Sequence, residues 1–126
     1  NIDSDSHYMR VAEMYLLHAE AAAENGNDGA ARSSLKALLD LRIGDSSYVD
    51  ALSGKALAEE AALQARLELF AEGQSYFIMK RRRQTRTRGA NWLDNAGESF
   101  SHTDERLTYE IPQAEITFNP NLSEQN

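Results

Sequence analysis

The sequence predicts a mainly α-helical fold in which antiparallel helix pairs pack with tetratricopeptide-like geometry, followed by a long loop and a short C-terminal strand or turn region. Three observations support this prediction. Apolar and small residues recur every three or four positions through residues 8–72, turn residues interrupt that pattern at short intervals, and the pattern stops after residue 82. Because no 34-residue period is visible, helix packing is predicted here without a repeat array.

Four helices are predicted from these patterns, over residues 8–25, 29–42, 54–72 and 74–82. Asn25-Gly26 marks the first turn, because both residues tolerate the left-handed conformation that ends a helix. Asn27 or Asp28 can then cap the second helix, and so short a connection predicts an antiparallel hairpin. Residues 43–52 are interpreted as a loop, with Ser53 as the N-cap of the third helix.

Residues 83–126 are predicted to be rich in loops. Glycine, asparagine, serine and threonine are scattered through residues 83–106, where no period persists. The segment RLTYEIP, residues 106–112, has the composition of a short strand, and Pro112 ends it. A helical turn is expected over residues 113–118, followed by an extended tail.

Length and composition are those of one soluble domain. The chain has 126 residues, of which 41% are apolar and 26% charged, and it has no apolar run of the roughly 20 residues that cross a bilayer. It contains no cysteine, which leaves the redox compartment open. A strong helix signal begins abruptly after a short polar lead-in, without a leader sequence, so we expect a fragment of a longer protein.

A basic run interrupts an otherwise acidic chain of net charge −7. Six of the 13 Lys and Arg residues lie between Lys80 and Arg88. A nucleic-acid site is disfavoured, because no aromatic residue is interleaved with these cations and no binding motif is present. Lys80 and Arg81 are instead expected to complement the dipole at a helix C-terminus, and the later arginines lead into a loop.

Charged residues on the predicted helices are expected to form structural ion pairs, and these residues are Arg10, Glu13, Glu20, Arg66, Glu68 and Glu72. Seven helical residues separate Glu13 from Glu20, about 10.5 Å along the axis, which exceeds the roughly 5–9.5 Å of a glycosidase carboxyl pair. Glu68 and Glu72 stand where like-charge repulsion and the helix dipole disfavour them, so a cation should meet them. The candidate cations are Arg10, Arg42, Arg66 and Lys80.

The sequence predicts no catalytic residue, no metal ligand and no cofactor. The three histidines are far apart without ligand spacing, and no nucleophile motif is present. Trp92, the single tryptophan, lies in the predicted loop RGANWLDNAG. Beside amides and a carboxylate, it can stack on a sugar ring, which makes Trp92, Asn91 and Arg88 the candidate ligand-binding residues. The alternative, which loop length favours, is that Trp92 folds back to anchor the loop.

Four segments in order resemble the SusD/RagB family: YMRVAEMYLLHAEAAAENGN, LLDLR, RLELFAEGQSYFIMKR and YEIPQAEITFNPNL. The residues that match the family's motifs are Arg10, Glu13, Leu17, Ala19, Glu20 and Ala21, then Arg66, Glu68, Leu69, Glu72 and Gly73, and finally Ile111, Pro112, Glu115, Ile116, Asn119 and Pro120. Two departures affect the fourth helix. Gln74-Ser75 replaces a pair that often contains arginine, and Ile78 replaces a usual aspartate.

The resemblance implies a noncatalytic binding protein of Bacteroidetes, lipid-anchored on the outer face of the outer membrane. Members capture glycans or other nutrients for a TonB-dependent, SusC-like transporter. Residues 1–126 would be a C-terminal helical domain, soluble by itself, whose parent meets the membrane only through a lipid anchor absent from this chain. The matched residues look structural. The alternative function, argued from the helix pairs alone, is a helical-repeat adaptor that binds a peptide in a groove.

Overall fold

The structure is a computed structural model that describes residues 10–122 and residue 124, and it is mainly helical. Its α-helices are α1 (Val11–Glu24), α2 (Asp28–Ile43), α3 (Gly54–Glu68), α4 (Gln74–Arg81) and α5 (Gln113–Phe118). Two short strands, β1 (Arg86–Thr87) and β2 (Ser99–Phe100), and two 3-10 helices, Ser47–Ala51 and Glu105–Leu107, complete the elements. The chain divides into two compact units, residues 1–75 and residues 76–126.

In the helical unit, residues 1–75, α1 packs against both α2 and α3. The buried apolar side chains come from all three helices and from Val49, and the larger ones are Leu16, Leu35, Leu38, Leu39 and Leu57. Alanines separate these leucines, and Ala19, Ala31 and Ala61 have no exposed surface. Small residues at these contacts let α1 approach α2 and α3 closely, and the mainly helical fold predicted from the sequence is confirmed.

The turn between α1 and α2 follows the local chemistry of its residues. Gly26 adopts a φ of 75°, and the N–H of Asn27 donates to the carbonyl of Ala22 over 2.8 Å, which closes the C-terminus of α1. The Asn27 side chain then accepts from the N–H of Ala30, so the asparagine caps α2. α1, α3 and α4 lie within the ranges that their periodicity indicates, whereas α2 extends one residue beyond the predicted range of 29–42 at each end. Residues 8 and 9 of the first predicted helix fall outside the described residues.

Two details at the ends of α3 differ from the sequence-based expectation. Ser53 precedes α3 in an extended conformation, but its side chain makes no capping hydrogen bond; the Asp28 carboxylate accepts from the N–H of Gly54 instead. At the other end, α3 stops at Glu68 and not at Glu72. The Arg10 guanidinium donates to the Glu68 carbonyl over 2.6 Å, and this carbonyl is thereby satisfied without a further helical turn.

A stripe of charged residues on α2 holds the connection that leads to α3. The α2 stripe consists of Asp28, Arg32, Lys36 and Asp40, spaced four residues apart along one side of the helix. The connection runs back along it, so that successive stripe residues meet successive parts of the chain. The contacts are Asp40 Oδ1 to Ser46 Oγ (2.5 Å), Lys36 Nζ to Asp50 Oδ2 (2.6 Å), Arg32 Nη2 to the Leu52 carbonyl (2.8 Å) and Asp28 Oδ1 to the Gly54 N–H (3.0 Å). Residues 43–52, interpreted from the sequence as a loop, therefore include a 3-10 helix that is tethered to α2.

The second unit, residues 76–126, is built around a short antiparallel hairpin. Arg86 is opposite Phe100 and Thr87 is opposite Ser99, whose hydroxyl lies 2.7 Å from that of Thr87. Sequence reasoning missed both strands, because two residues are too short to show alternation. α5 coincides with the turn expected over residues 113–118.

The strand predicted over residues 106–112 is wrong. A 3-10 helix at Glu105–Leu107 occupies its beginning, and no strand follows before α5. The Asp104 side chain accepts from the N–H of Arg106 and also binds the Arg106 guanidinium, which turns the chain at this point. Local hydrogen bonding by an aspartate therefore overrides the β-propensity of RLTYEIP.

Candidate functional site

The candidate site lies in the loop that joins β1 to β2, residues 88–98, here named the site loop. Its ends are closed by main-chain bonds: the N–H of Arg88 donates to the Glu98 carbonyl over 2.9 Å, and that of Gly97 donates to the Arg88 carbonyl over 3.1 Å. Gly97 has a φ of 77°, which allows this tight return. Within the loop, the N–H of Trp92 donates to the carbonyl of Gly89 and forms a turn.

An open depression of about 460 Å³ lies on the site loop, and its lining residues are Arg88, Asn91, Trp92, Leu93 and Asp94. The Trp92 side chain is 56% exposed, so much of the indole surface is available from solvent. The three candidate ligand residues of the sequence analysis therefore line one depression. Exposed aromatic surface beside an amide and a carboxylate offers both apolar contact and hydrogen bonds to a ligand.

Arg88 contacts two aromatic rings. The carbon at the centre of its guanidinium lies 4.9 Å from the centroid of Trp92 and 5.2 Å from that of Phe100. Both distances are within the range of cation–π attraction. The Nη1 of Arg88 also donates to the main-chain carbonyl of Asp94 over 2.9 Å. Trp92 is thus held on its own loop through Arg88 while remaining exposed.

A second arginine extends this arrangement. The Arg106 guanidinium lies 4.3 Å from the centroid of Phe100, so Trp92, Arg88, Phe100 and Arg106 alternate ring and cation in a series named here the cation–π stack. Phe100 is buried. No sequence signal marked Phe100 or Arg106, because their contact with the site loop depends on the register of the hairpin.

Two carboxylates fix Arg106. Its Nη1 lies 2.7 Å from Glu98 Oε2, its Nε lies 2.9 Å from Asp104 Oδ1, and its Nη2 lies 2.9 Å from Asp104 Oδ2. The bidentate hydrogen bonds to Asp104, with help from Glu98, raise the pKa of Arg106 above its ordinary value. Hydrogen bonding from Arg106 in turn lowers the pKa of Asp104. The planar fork geometry defines the orientation of the guanidinium over Phe100.

A separate ion-pair cluster lies in the helical unit. Arg42 binds Glu68 through two hydrogen bonds of 2.9 and 2.8 Å, and Arg10 lies 3.5 Å from Glu68 and 2.7 Å from Glu72. Hydrogen bonding from Arg42 is the main cause that lowers the pKa of Glu68, whose side chain is 14% exposed. Two cations therefore meet the carboxylates at the end of α3.

The other residues expected in ion pairs lie elsewhere. Arg66 is exposed on α3 and joins none of these pairs among the described residues. Glu13 is half-buried and Glu20 is buried, both on α1. Lys80, in the second unit, stands over the ring of Tyr76, 5.5 Å from its centroid. In the described part of the chain, no group of three or more metal-ligating side chains is present, and no helix has the length and hydrophobicity of a membrane span.

Comparison with known families decides the relationship that the motifs suggested. The sequence model of the SusD family matches residues 1–126. The chain belongs to the SusD family. Neither the search of curated proteins nor that of solved structures returned a significant match. SusD-family membership makes this chain part of a group of nutrient-binding outer-membrane components, whose members bind substrates without catalysis and generally work with SusC-like transporters.

Proposed function

We propose that this SusD-family chain belongs to a noncatalytic component that captures oligosaccharides at the outer face of the outer membrane, held there by a lipid anchor. The captured glycan passes to a TonB-dependent, SusC-like transporter. The observation that carries this proposal is the family match over residues 1–126. Mechanistically, such a component needs only a surface complementary to the glycan and another to the transporter, and no cofactor.

The site loop is the proposed contact with the glycan. Trp92, Asn91 and Arg88 line one depression, where an exposed indole is available to the C–H face of a sugar ring. The side chains of Asn91 and Asp94 border the same space and can exchange hydrogen bonds with sugar hydroxyls. For Arg10, Glu68 and Glu72 we propose a structural role, since they fasten the end of α3. The same role is proposed for Glu13, Glu20 and Arg66.

Calorimetric titration of the full-length protein with a panel of polysaccharides tests the proposal. We expect at least one glycan to bind, and Trp92→Ala to weaken its affinity about two- to twelvefold, because one aromatic contact is worth about 0.5–1.5 kcal/mol. Phe118→Ala, which removes another exposed aromatic ring from the same unit, is the matched control and should bind as the native protein does. Absence of affinity for every glycan, together with absence of a co-purifying transporter, would contradict the proposal.

The helical-repeat adaptor is the second candidate, and one feature favours it. A groove of about 220 Å³ lies between α2 and α3, with Leu38, Leu39, Ile43 and Leu67 among its lining residues. Apolar side chains along a groove suit an amphipathic peptide. If the full-length protein binds peptides through this groove and no glycan, the adaptor replaces glycan capture as the function.

A further inference from the structure

The guanidinium of Arg88 is committed to contacts inside the protein. Trp92 and Phe100 lie within 4.9 and 5.2 Å of it, and it donates to the Asp94 carbonyl. Arg88 is also half-buried. A cation that already serves two rings and a carbonyl must give up these contacts before it can pair with an incoming anion. Its position in the depression is therefore that of a support for the indole.

The side chain of Asp94 has the opposite character. Arg88 holds its main-chain carbonyl, whereas Asp94 itself is exposed and lines the depression. An ionised carboxylate accepts hydrogen bonds from hydroxyl groups and repels other carboxylates and sulfates. This carboxylate favours a ligand that brings hydroxyls without negative charge.

The orientation of the Trp92 ring depends on Phe100 and Arg106, which support Arg88. Arg106 is fixed by three hydrogen bonds to Asp104 and Glu98, and it holds Phe100, on which Arg88 rests. Phe100 is also anchored by the pairing of β2 with β1. A ring held in this way loses little conformational freedom when a ligand stacks on it, which preserves affinity.

On this basis we infer that Trp92 and Asp94 form a subsite for an uncharged sugar ring, and that Arg88, Phe100 and Arg106 are positioning residues that hold the indole for it. The inference rests on the proposed glycan-capture function and names the charge class of its ligand. It also reassigns Arg88 from a ligand contact to a support. Arg106 acts on the ligand only through Phe100, Arg88 and Trp92.

The positioning role has a test that needs no ligand. Trp92 is the single tryptophan of the 126-residue chain, so its fluorescence reports this ring alone. Arg106→Gln should raise the acrylamide quenching constant of Trp92 and lower its fluorescence anisotropy, while far-UV circular dichroism stays unchanged. Arg83→Gln, which removes one positive charge from an exposed position in the same unit, should leave both signals unchanged. Equal signals from Arg106→Gln and the native chain would overturn the positioning role.

The ligand class is tested with the full-length protein and two probes of equal length, a neutral gluco-oligosaccharide and an oligogalacturonate. We expect the neutral probe to bind more tightly, and Arg106→Gln to weaken it about two- to fivefold, the size of one exposed cation–π contact. Asp94→Asn should reduce the ratio of the affinity for the neutral probe to the affinity for the oligogalacturonate. Tighter binding of the oligogalacturonate that is lost in Arg88→Gln would overturn the inference, because Arg88 would then be an anion contact.

A wrong subsite and a wrong function give different experimental results. If the protein binds glycans but neither Trp92→Ala nor Arg106→Gln changes the affinity, the subsite is wrong and glycan capture stands. If no glycan of either charge binds the native protein and no transporter co-purifies with it, glycan capture itself is wrong, and the subsite is overturned with it.

Discussion

Each of the two units of this chain is stabilised internally by a different kind of contact. In the helical unit, leucines and alanines from three helices fill a common interior, and many of them have no exposed surface. In the second unit, the buried apolar side chains among the described residues are Ile78, Met79 and Phe100. Around Phe100, the hairpin and the site loop are organised by arginines, carboxylates and main-chain hydrogen bonds.

Because of this difference, the contacts of the helical unit mainly stabilise its fold, whereas those of the second unit mainly position the site loop. Apolar burial contributes about 25 cal/mol for each Å² removed from water, so an interior made by three helices stabilises a fold strongly. Exposed ion pairs contribute only about 0–1 kcal/mol, but their geometry is directional. A loop that is ordered by directional contacts on a small base can present a binding residue, as loops on rigid scaffolds commonly do.

Removal of a buried leucine should have the largest effect. Leu35→Ala in α2 is expected to lower the free energy of unfolding by about 2–5 kcal/mol, because a fully buried side chain leaves a cavity. Leu41→Ala, in the same helix, removes an equal side chain that is 79% exposed and should cost less than about 1 kcal/mol. Urea denaturation followed by circular dichroism at 222 nm measures both. Equal losses would show that burial in the helical unit is not the source of its stability.

Removal of the Glu68 charge at the C-terminus of α3 should have an intermediate effect on stability. Glu68→Gln keeps the shape of the side chain but weakens the pairing with Arg42 and Arg10, and we expect a loss of about 1–2 kcal/mol in unfolding free energy. Glu59→Gln, which disrupts the exposed pair with Lys55 on the same helix, should cost at most about 0.5 kcal/mol. If Glu59→Gln lowers the unfolding free energy as much as Glu68→Gln does, the pairing of Glu68 with Arg42 and Arg10 is not a source of additional stability.

The lowered pKa of Glu68 gives the same pair a pH signature. Because its pKa is lower in the folded chain than in the unfolded chain, its contribution to stability is complete above the unfolded value of about 4.3 and is lost as the pH falls through the folded value. Stability should therefore fall less steeply below about pH 4.3 in Glu68→Gln than in the native protein. Urea midpoints measured between neutral and acidic pH test this, and parallel curves would rule it out.

The smallest effect on stability is expected in the second unit. Asp104→Asn weakens the fork that holds Arg106, so Trp92 should become more accessible to acrylamide while the urea midpoint at 222 nm stays unchanged. Glu105→Gln, its neighbour in sequence, serves as the control and should change neither signal. A shift of the 222 nm midpoint in Asp104→Asn without a change in Trp92 quenching would show that the contact of Asp104 with Arg106 stabilises the fold and does not position Trp92.

Patterns spread over many residues predicted the helical unit well. The first helix hairpin follows from the spacing of Leu16, Ala19 and Ala23 and from the Asn25-Gly26 turn. Helix period and helix stop signals can be read from neighbouring residues. The strands β1 and β2 were not predictable in this way, since their pairing joins residues 12 and 14 positions apart and each strand is two residues long. RLTYEIP has strand composition, but the hydrogen bonds of Asp104 turn the chain there.

The candidate site was predictable only in part. Trp92, Asn91 and Arg88 stood out as an aromatic, an amide and a cation within one loop, and they line one depression. The contributions of Phe100, Asp104 and Arg106 were not visible, because side-chain contacts across a hairpin depend on its register. Likewise, the charges on α2 were visible at four-residue spacing, but their partners lie in the connection that follows, which has no period of its own.

The α2 stripe has a consequence for protein engineering. Because Asp28, Arg32, Lys36 and Asp40 each hold a point on the following connection, the shape of residues 46–54 is encoded largely outside those residues. Residues 46–54 grafted onto another scaffold without these four side chains would lose their anchors. The transferable module is therefore the helix together with the segment that folds back along it.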